Sequence, residues 1–421
     1  MSLISSSSVA ASPAADLPTI HWKEDGEACS ARWRSERGAP PPKRVVLADD
    51  TMAADTAYRL ACEGTGLLWR GDFQNARLLL QALARRTDKP AKPKRDKRHK
   101  AGAASPEPTA PAVAFPEAFH LHRQAQAQRA RVLGMLLIPF GADYSIPLRR
   151  APDAKKACAE AWGTAAPPPG ASAPHTTSVA SLRELMGFIS AHEWRRKGVA
   201  IPALGEEGPH NRIHPHYGVF SPVRGEYIDL VAQAPLPGGA TDDLVVFDIG
   251  TGTGVLAAVL ALRGGVQRVV ATDQDPRALA CARDNLKRLG FPQVDVRQAN
   301  LFPQGKANII VCNPPWLPAR PGSPVEHAVY DEDSRMLLGF LNGLAAHLEP
   351  QGEGWLILSD FAEHLGLRTR DWLLSAIDAA GLKVLDRLDA QPHHPKVSDA
   401  SDALHAARAA EVTSLWLLAA A

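Results

Sequence analysis

The segment Asp248-Ile-Gly250-Thr251-Gly252-Thr-Gly254 follows a run of apolar residues and contains three alternating glycines. Glycines at a strand-to-helix turn let the backbone approach a ligand closely, and the helix that follows presents free N–H groups there. The order GxGxG differs from the GxGxxG of NAD-binding turns, which hold a pyrophosphate. It favours a ligand without a pyrophosphate, and Asp248 could pair with an ammonium of that ligand directly or through water. S-adenosylmethionine has these properties, and we assign its binding to Asp248, Gly250, Thr251, Gly252 and Gly254.

A second acidic residue, Asp273, ends the next apolar run, 19 positions past Gly254. A carboxylate at the tip of a strand can accept hydrogen bonds from both the 2′- and the 3′-hydroxyl of a ribose. Asp275 stands before Pro276, which is the pattern of a helix N-cap followed by a first-turn proline. We therefore assign the ribose to Asp273 and the helix cap to Asp275, and the reverse assignment stays open.

The third candidate is Asn313-Pro314-Pro315-Trp316, which follows the fourth predicted strand. The Asn side-chain carbonyl and a proline backbone carbonyl can together accept both hydrogens of a planar –NH2 group. This arrangement would direct the nitrogen lone pair at a methyl donor, and the Trp ring offers a face for a planar amide or base. Taken alone, the string is equally consistent with a surface turn. Its place 40 residues after Asp273 favours a catalytic site made of these four residues, with Asn313 also bordering the cofactor.

Other groups of chemically active residues give weaker signals. Three histidine pairs lack a third ligand at a spacing typical of metal sites, so we expect no metal site. They are His120/His122, His214/His216 and His393/His394. Five cysteines lie far apart without a CxxC pair, which favours a reducing compartment and a cytoplasmic location.

The composition of the 421 residues, 45% hydrophobic and 22% charged, excludes a globally disordered chain. The formal net charge of +2 argues against a surface built as a whole for nucleic acid. One run, Arg85–Lys100, concentrates nine Lys and Arg residues against two Asp. Such a run is more often a solvated linker, and the alternative is a segment that binds phosphate.

From about Gly218 onward, short β-rich runs alternate with amphipathic helices, which is typical of an α/β domain with a mostly parallel sheet. The strand Leu244–Ile249 leads into the glycine turn, and the strand Asn308–Cys312 leads into the Asn-Pro-Pro-Trp string. A final apolar run, Glu411–Ala420, is compatible with an added antiparallel strand. No apolar stretch approaches the ~20 residues that a membrane-spanning helix needs, so we expect no membrane partner.

With these motifs, residues of about 218–390 resemble a class I S-adenosylmethionine-dependent methyltransferase. Within that superfamily they are similar to the HemK/PrmC-type glutamine N-methyltransferases and the related small-domain N-methyltransferases. The resemblance implies a Rossmann-like seven-stranded sheet and S-adenosylmethionine as the cofactor. It also implies that Asn300, where Asp is usual, contacts adenine, and that Val219–Tyr227 closes over the cofactor. Trp316 stands where the family usually has Tyr.

The predicted activity is methyl transfer to a planar amide or amino nitrogen. The favoured acceptor is a protein glutamine, as in a release factor or a ribosomal protein. The alternative is the N6 amino group of adenine in RNA or DNA, and a third reading is a non-catalytic cofactor-binding module. We expect a macromolecular partner, with protein favoured over nucleic acid, and neither a membrane nor a metal.

The predicted organisation has five parts. They are a disordered leader at 1–20, a helical N-terminal segment at 21–86, a basic linker rich in Pro and Lys at 87–113, a mainly helical substrate-recognition region at 114–217, and the methyltransferase domain at 218–421.

Overall fold

The computed structural model describes residues 17–88, 115–165, 177–237, 243–322, 324–392 and 402–421. The contacts divide the chain into two units. The first unit consists of the described residues of Met1–Ala91 and Gln128–Gly187, and the second of those of Lys92–Ala127 and Phe188–Ala421. Most of the predicted leader and of the predicted basic linker lies outside the described residues.

The first unit contains a six-stranded mixed sheet in the order β1-β2-β6-β5-β4-β3. Its strands are β1 (Thr19–Glu24), β2 (Glu27–Trp33), β3 (Arg44–Ala48), β4 (Thr65–Trp69), β5 (Leu136–Phe140) and β6 (Ser178–Ser181). The helices in this part of the chain are α1 (Ala54–Cys62), α2 (Phe73–Thr87), α3 (Phe115–Leu133), α4 (Lys155–Trp162) and α5 (Leu182–Lys197). Helices α3 and α5 contain residues of both units.

This sheet adds strands that the prediction of a mainly helical N-terminal region did not include. The predicted helices are present, and α2 begins at Asp72, whose side chain accepts a hydrogen bond from the backbone N–H of Gln74 at 2.9 Å. The strands between them were not predicted. Strands β4 and β5 are buried along their whole length, so their sequences do not alternate between apolar and polar residues. A short apolar run of this kind cannot be told from a buried helical segment by periodicity.

The second unit contains a seven-stranded sheet in the order β11-β10-β9-β12-β13-β15-β14. The remaining strands of the chain are β7 (Val199–Ala200), β8 (Arg212–Ile213), β9 (Leu244–Ile249), β10 (Val266–Asp273), β11 (Asp295–Gln298), β12 (Ala307–Cys312), β13 (Leu348–Ser359), β14 (Leu382–Ala390) and β15 (Thr413–Ala420). Strands β7 and β8 form a separate two-stranded pair. In the large sheet β15 runs antiparallel to both neighbours, and the other pairs are parallel. This is the predicted Rossmann-like α/β sheet with its closing antiparallel strand.

Helices cover both faces of the seven-stranded sheet. They are α6 (Glu226–Gln233), α7 (Val255–Ala261), α8 (Pro276–Leu289), α9 (Arg335–His347), α10 (Phe361–His364), α11 (Arg370–Ala379) and α12 (His405–Ala409). Successive residues of a strand point to opposite faces. In β12, Ile309 and Val311 pack in the core on the side of α6, α7 and α8, whereas Ile310 and Cys312 pack on the side of α9 and α11. A strand buried on both faces is nearly continuously apolar, which explains why the strands of this sheet could be predicted from the sequence.

The core of the second unit extends N-terminally beyond the predicted boundary at residue 218. Ile201 and Ile213 are buried in it together with residues of α7 and α8. Residues 188–217, predicted as part of the preceding region, are therefore structurally part of the second unit. No helix within the described ranges is long and apolar enough to cross a membrane.

The register of the parallel strands brings three chain segments to one level. Ile249 at the end of β9 pairs with Thr272 of β10 and with Cys312 of β12. The next residues along the three strands are Gly250, Asp273 and Asn313. The carboxyl edge of the sheet therefore collects all three of the segments that the sequence marked as chemically active.

Candidate functional site

A cavity of about 420 Å³ lies at this carboxyl edge. This volume falls within the roughly 300–1,000 Å³ of small-molecule sites. The predicted site residues that line it are Gly250, Thr251, Gly252, Asp273, Asn313, Pro314, Pro315 and Trp316. The structure thus joins the glycine turn, the acidic strand end and the Asn-Pro-Pro-Trp string in one site.

The glycine turn depends on backbone conformations that only glycine adopts easily. Gly250 has a φ of +72° and Gly252 a φ of +55°. A Cβ on Gly250 would also lie 2.6 Å from Cε of Met336, so a side chain there would collide as well as strain the backbone. The N–H groups of Gly250 and Thr251 both donate to the carbonyl of Thr272, at 2.9 and 2.8 Å. This ties the turn to the end of strand β10.

Asp248 lies beneath the turn and does not line the cavity. Its side chain is 1% exposed, and its Oδ2 accepts hydrogen bonds from Thr251 Oγ1 at 2.6 Å and from the Ala257 N–H at 3.0 Å. Burial raises the pKa of Asp248 to about 6 against the lowering effect of these two bonds. Asp248 therefore holds the turn and the start of α7 together, and direct pairing with a ligand ammonium stays a prediction.

Gly254 also stands outside the cavity lining. Its φ is +80°, and a Cβ there would lie 3.2 Å from Cα of Ala282 in α8. The position of this glycine is explained by the close packing of α7 against α8. A contact between Gly254 and a ligand is a prediction that the cavity does not support.

The carboxylate of Asp273 is fixed by two backbone donors. Its Oδ2 accepts from the Gly252 N–H and its Oδ1 from the Asp275 N–H, both at 3.0 Å. A carboxylate has about four acceptor positions, so each oxygen retains one for a ligand hydroxyl. Burial raises the pKa of Asp273. Asp275 caps helix α8 as predicted, because its side chain accepts from the Arg277 N–H at 2.8 Å.

Asn300 is exposed and does not line the cavity. Its neighbours Ala299 and Leu301 do line it. The carbonyl of Leu301 accepts a hydrogen bond from Thr272 Oγ1 at 2.7 Å, which holds this loop against the end of β10. The structure therefore offers Leu301, which the sequence analysis did not select, as the apolar side chain at this position of the cavity.

The Asn-Pro-Pro-Trp string is organised by its own side chains. The Trp316 Nε1–H donates to Oδ1 of Asn313 at 2.8 Å, and this bond orients the Asn amide. The guanidinium of Arg224 lies 5.1 Å from the centre of the Trp316 ring. Arg368 donates to the backbone carbonyl of Trp316 at 3.2 Å. The structure therefore contains the two features that the predicted role of this string requires, an oriented Asn amide and a Trp ring held in place.

Further residues of the cavity come from distant segments. The segment that the resemblance placed over the cofactor contributes Val219, Phe220, Arg224 and Tyr227 to the lining, and Glu411 comes from just before β15. Arg224 donates to Glu226 at 2.7 Å and to Glu411 at 3.1 Å. No local sequence signal joins Arg224 to Glu411, because 187 positions separate them.

The two histidine pairs in the described residues, His120/His122 and His214/His216, do not line the cavity. His214 is held by Asn285, whose side chain accepts from the His214 N–H at 2.8 Å, and His216 lies 3.1 Å from Asp284. His393 and His394 lie outside the described residues. In the described part of the chain, no three His, Cys, Asp or Glu side chains group closely enough to hold a metal ion.

Residues 211–369 match the family model of the methyltransferase small domain. This part of the chain is therefore similar to that family. The matched range includes the glycine turn, Asp273 and the Asn-Pro-Pro-Trp string. The match supports an S-adenosylmethionine-dependent methyltransferase domain in this part of the second unit. The cavity fits that cofactor, because the glycine turn admits close backbone contact and Asp273 retains acceptors for two hydroxyls.

Curated relatives of this chain include enzymes that are named for protein substrates. The chain is 35% identical over 108 residues to the release factor glutamine methyltransferase of Mycolicibacterium smegmatis, which covers 24% of this chain and 38% of that protein. It is 30% identical over 143 residues to the enzyme of the same name from Streptococcus pneumoniae, covering 33% and 50%. It is 42% identical over 73 residues to the ribosomal protein L11 methyltransferase of Clostridium perfringens, covering 17% and 23%. The chain therefore spans half or less of the length of these relatives.

Solved structures similar to part of this chain include the ribosomal protein L11 methylase of Lactobacillus delbrueckii subsp. bulgaricus. It is 19% identical with a TM-score of 0.31, covering 46% of this chain and 76% of that one. A methyltransferase from Pyrococcus furiosus is 19% identical with a TM-score of 0.33, covering 49% and 91%.

Proposed function

We propose that this protein transfers a methyl group from S-adenosylmethionine to the side-chain amide nitrogen of a protein glutamine. The observation that carries the proposal is that Asn313 and Pro314 line the same cavity as the glycine turn and Asp273. Acceptors for the two hydrogens of an amide group therefore lie beside the residues that we assign to the methyl donor.

On the cofactor side, the bound donor supplies an electrophilic methyl group on its sulfonium. Asp273 would accept hydrogen bonds from the two ribose hydroxyls with the acceptor position that remains on each oxygen. Gly250 and Gly252 let the backbone lie against the donor, and Asp248 keeps the turn in place through Thr251. Each of these residues acts by binding and orientation.

On the acceptor side, Asn313 is prepared to bind an amide. The Trp316 N–H occupies one of the two lone pairs of Asn313 Oδ1, and the other lone pair remains available. This lone pair and the Pro314 carbonyl accept the two hydrogens of a primary amide. An amide nitrogen is a weak nucleophile because its lone pair is delocalised into the carbonyl. Fixing both hydrogens directs that lone pair at the methyl group and favours the geometry of transfer.

The amino group of adenine is the second candidate acceptor, since it presents the same planar –NH2. Two observations support a protein instead. The relatives are named for a release factor and for ribosomal protein L11. In addition, the strongest basic run of the sequence, Arg85–Lys100, lies outside the matched methyltransferase domain. Nucleic-acid binding depends mainly on contacts of cationic side chains with phosphates.

Transfer of a labelled methyl group into an extract separates the two acceptors. The extract comes from cells that lack this protein, and it receives the purified protein and labelled S-adenosylmethionine. We expect label that resists nuclease and disappears with protease, and roughly 100-fold slower labelling with the Asn313→Ala variant. Label that disappears with nuclease and resists protease would replace glutamine by adenine.

We also propose that the protein acts in the cytoplasm. All five cysteines are free, and Cys158, Cys281 and Cys312 are buried. Free buried thiols are typical of proteins in a reducing compartment.

A further inference from the structure

Glu411 is a buried carboxylate at the cavity that the cofactor assignment does not use. Its side chain is 1% exposed, and it lines the cavity just before strand β15. Oε1 accepts hydrogen bonds from Ser359 Oγ at 2.7 Å and from Arg224 Nη2 at 3.1 Å. Oε2 is buried without a partner among the described residues. A buried acceptor in this state is costly, and natural structures keep one mainly where a ligand or a water completes it.

The contacts of Glu411 lead to the acceptor side of the cavity. Arg224, which binds Glu411, lies over the ring of Trp316, and Trp316 donates to Asn313. Glu411 is therefore two side chains away from the amide that we assign to the methyl acceptor. Ser359, at the end of β13, donates to the same Oε1 that Arg224 binds, which leaves Oε2 open.

The charge balance at this position favours a donor and disfavours an anion. Arg224 is the one guanidinium that binds both Glu226 and Glu411, so two carboxylates share a single positive charge. The other arginine of the cavity lining, Arg408, binds Asp402 at 2.6 Å. A phosphate or carboxylate near Oε2 would meet like charge, whereas an N–H would meet an open acceptor.

We propose that Glu411 Oε2 accepts a hydrogen bond from an N–H group of the acceptor polypeptide, next to the amide that receives the methyl group. This makes Glu411 a substrate-binding residue that selects a polypeptide over an anionic partner. The inference deepens the proposed function and rests on it.

The test compares Glu411→Gln with Glu226→Gln, with a purified release factor as the acceptor. Glu226 is the matched control, because it binds the same Arg224 but does not line the cavity. In Glu411→Gln the remaining oxygen can still accept hydrogen bonds from Ser359 and Arg224. An –NH2 group replaces Oε2, so a donor would face the N–H group of the substrate. We expect KM for the release factor to rise roughly 10-fold or more in Glu411→Gln, by less than about twofold in Glu226→Gln, and the Kd of S-adenosylmethionine to stay within about twofold in both.

The outcomes separate this inference from the proposed function. Equal changes of KM in the two variants, or no change in Glu411→Gln, would overturn the inference, because the carboxylate would then only hold Arg224. A wild-type protein that methylates no glutamine would instead overturn the proposed function. If thermal melting shows that Glu411→Gln is unfolded, Glu411→Asp provides the test. It keeps the charge, withdraws the carboxylate by one methylene, and should also raise KM with the Kd of the cofactor unchanged.

Discussion

Replacement of Asp273 by Ala is the sharpest test of the cofactor assignment. In the folded chain the two oxygens of Asp273 each accept one backbone N–H, from Gly252 and from Asp275. One acceptor position on each oxygen remains for the ribose. The variant removes both of these ribose acceptors at once, and it also removes the acceptor of the Gly252 N–H.

The expected loss of affinity follows from these two bonds. Hydrogen bonds to a charged group contribute about 1.5–3 kcal/mol each, and neighbouring bonds are not fully additive. We therefore expect S-adenosylmethionine to bind about 2–4 kcal/mol more weakly, which is roughly a 30- to 1,000-fold increase in Kd.

Calorimetric titration of the wild type and two variants measures this effect. Asp275→Ser is the control, because Ser preserves the N-cap of α8 and removes the carboxylate that the alternative assignment would place at the ribose. We expect the Kd of the control to change by less than about twofold. A Kd that changes by less than about twofold in Asp273→Ala, together with a large change in Asp275→Ser, would refute the assignment.

A modified ligand separates ribose binding from damage to the turn. The wild type should bind 2′-deoxy S-adenosylhomocysteine more weakly than S-adenosylhomocysteine, whereas Asp273→Ala should bind the two with similar affinity. This pair of measurements is a thermodynamic cycle between the carboxylate and the hydroxyl. If the variant discriminates as strongly as the wild type, another group holds the hydroxyl.

Three further predictions concern the turn, the acceptor site and the basic run. Asn313→Ala should lower kcat by roughly 100-fold or more with little change in cofactor affinity, because the Asn acts on the transferring nitrogen; normal turnover would remove its role. Burial raises the pKa of Asp248 to about 6, so its stabilising contribution is complete below its unfolded pKa and is lost as the pH rises through the folded pKa. In the wild type this group should therefore lower the free energy of unfolding by about 3 kcal/mol between a pH of about 4 and about 7. The Asp248→Asn variant should lack this fall when urea denaturation is measured across that range. An unchanged pH profile in the variant would contradict this. Deletion of residues 89–100 should leave methyl transfer and its salt dependence nearly unchanged, and a steep loss of activity would indicate phosphate contacts.

The seven-stranded sheet could be predicted because its strands and helices carry unambiguous local signals. Strand β12 is apolar from Ile309 to Cys312, and helix α8 begins at Asp275-Pro276 and ends at Gly290. The six-stranded sheet could not be predicted in this way. Strand β5 follows closely after helix α3, and a run of five buried apolar residues cannot be told from a buried helical segment by periodicity.

The candidate site could be predicted where it depends on consecutive residues. Gly250, Asp273 and Asn313 each follow a strand directly, so the parallel register brings them together. Sequence reasoning could not find the bond between Arg224 and Glu411, because it depends on how β15 returns to the sheet. Sequence reasoning also could not predict that Asp248 lies outside the cavity lining, because its burial beneath the turn depends on packing and not on the motif.

The central claim, methyl transfer to the amide nitrogen of a protein glutamine, is tested most directly by mass spectrometry of a purified acceptor. The purified protein is incubated with labelled S-adenosylmethionine and a bacterial release factor, and the acceptor is digested and fragmented. The account predicts one added methyl group on a glutamine side-chain amide, which forms roughly 100-fold more slowly with Asn313→Ala. A methyl group on any other atom of the release factor, or label found only in nucleic acid when both acceptors are supplied, would contradict it.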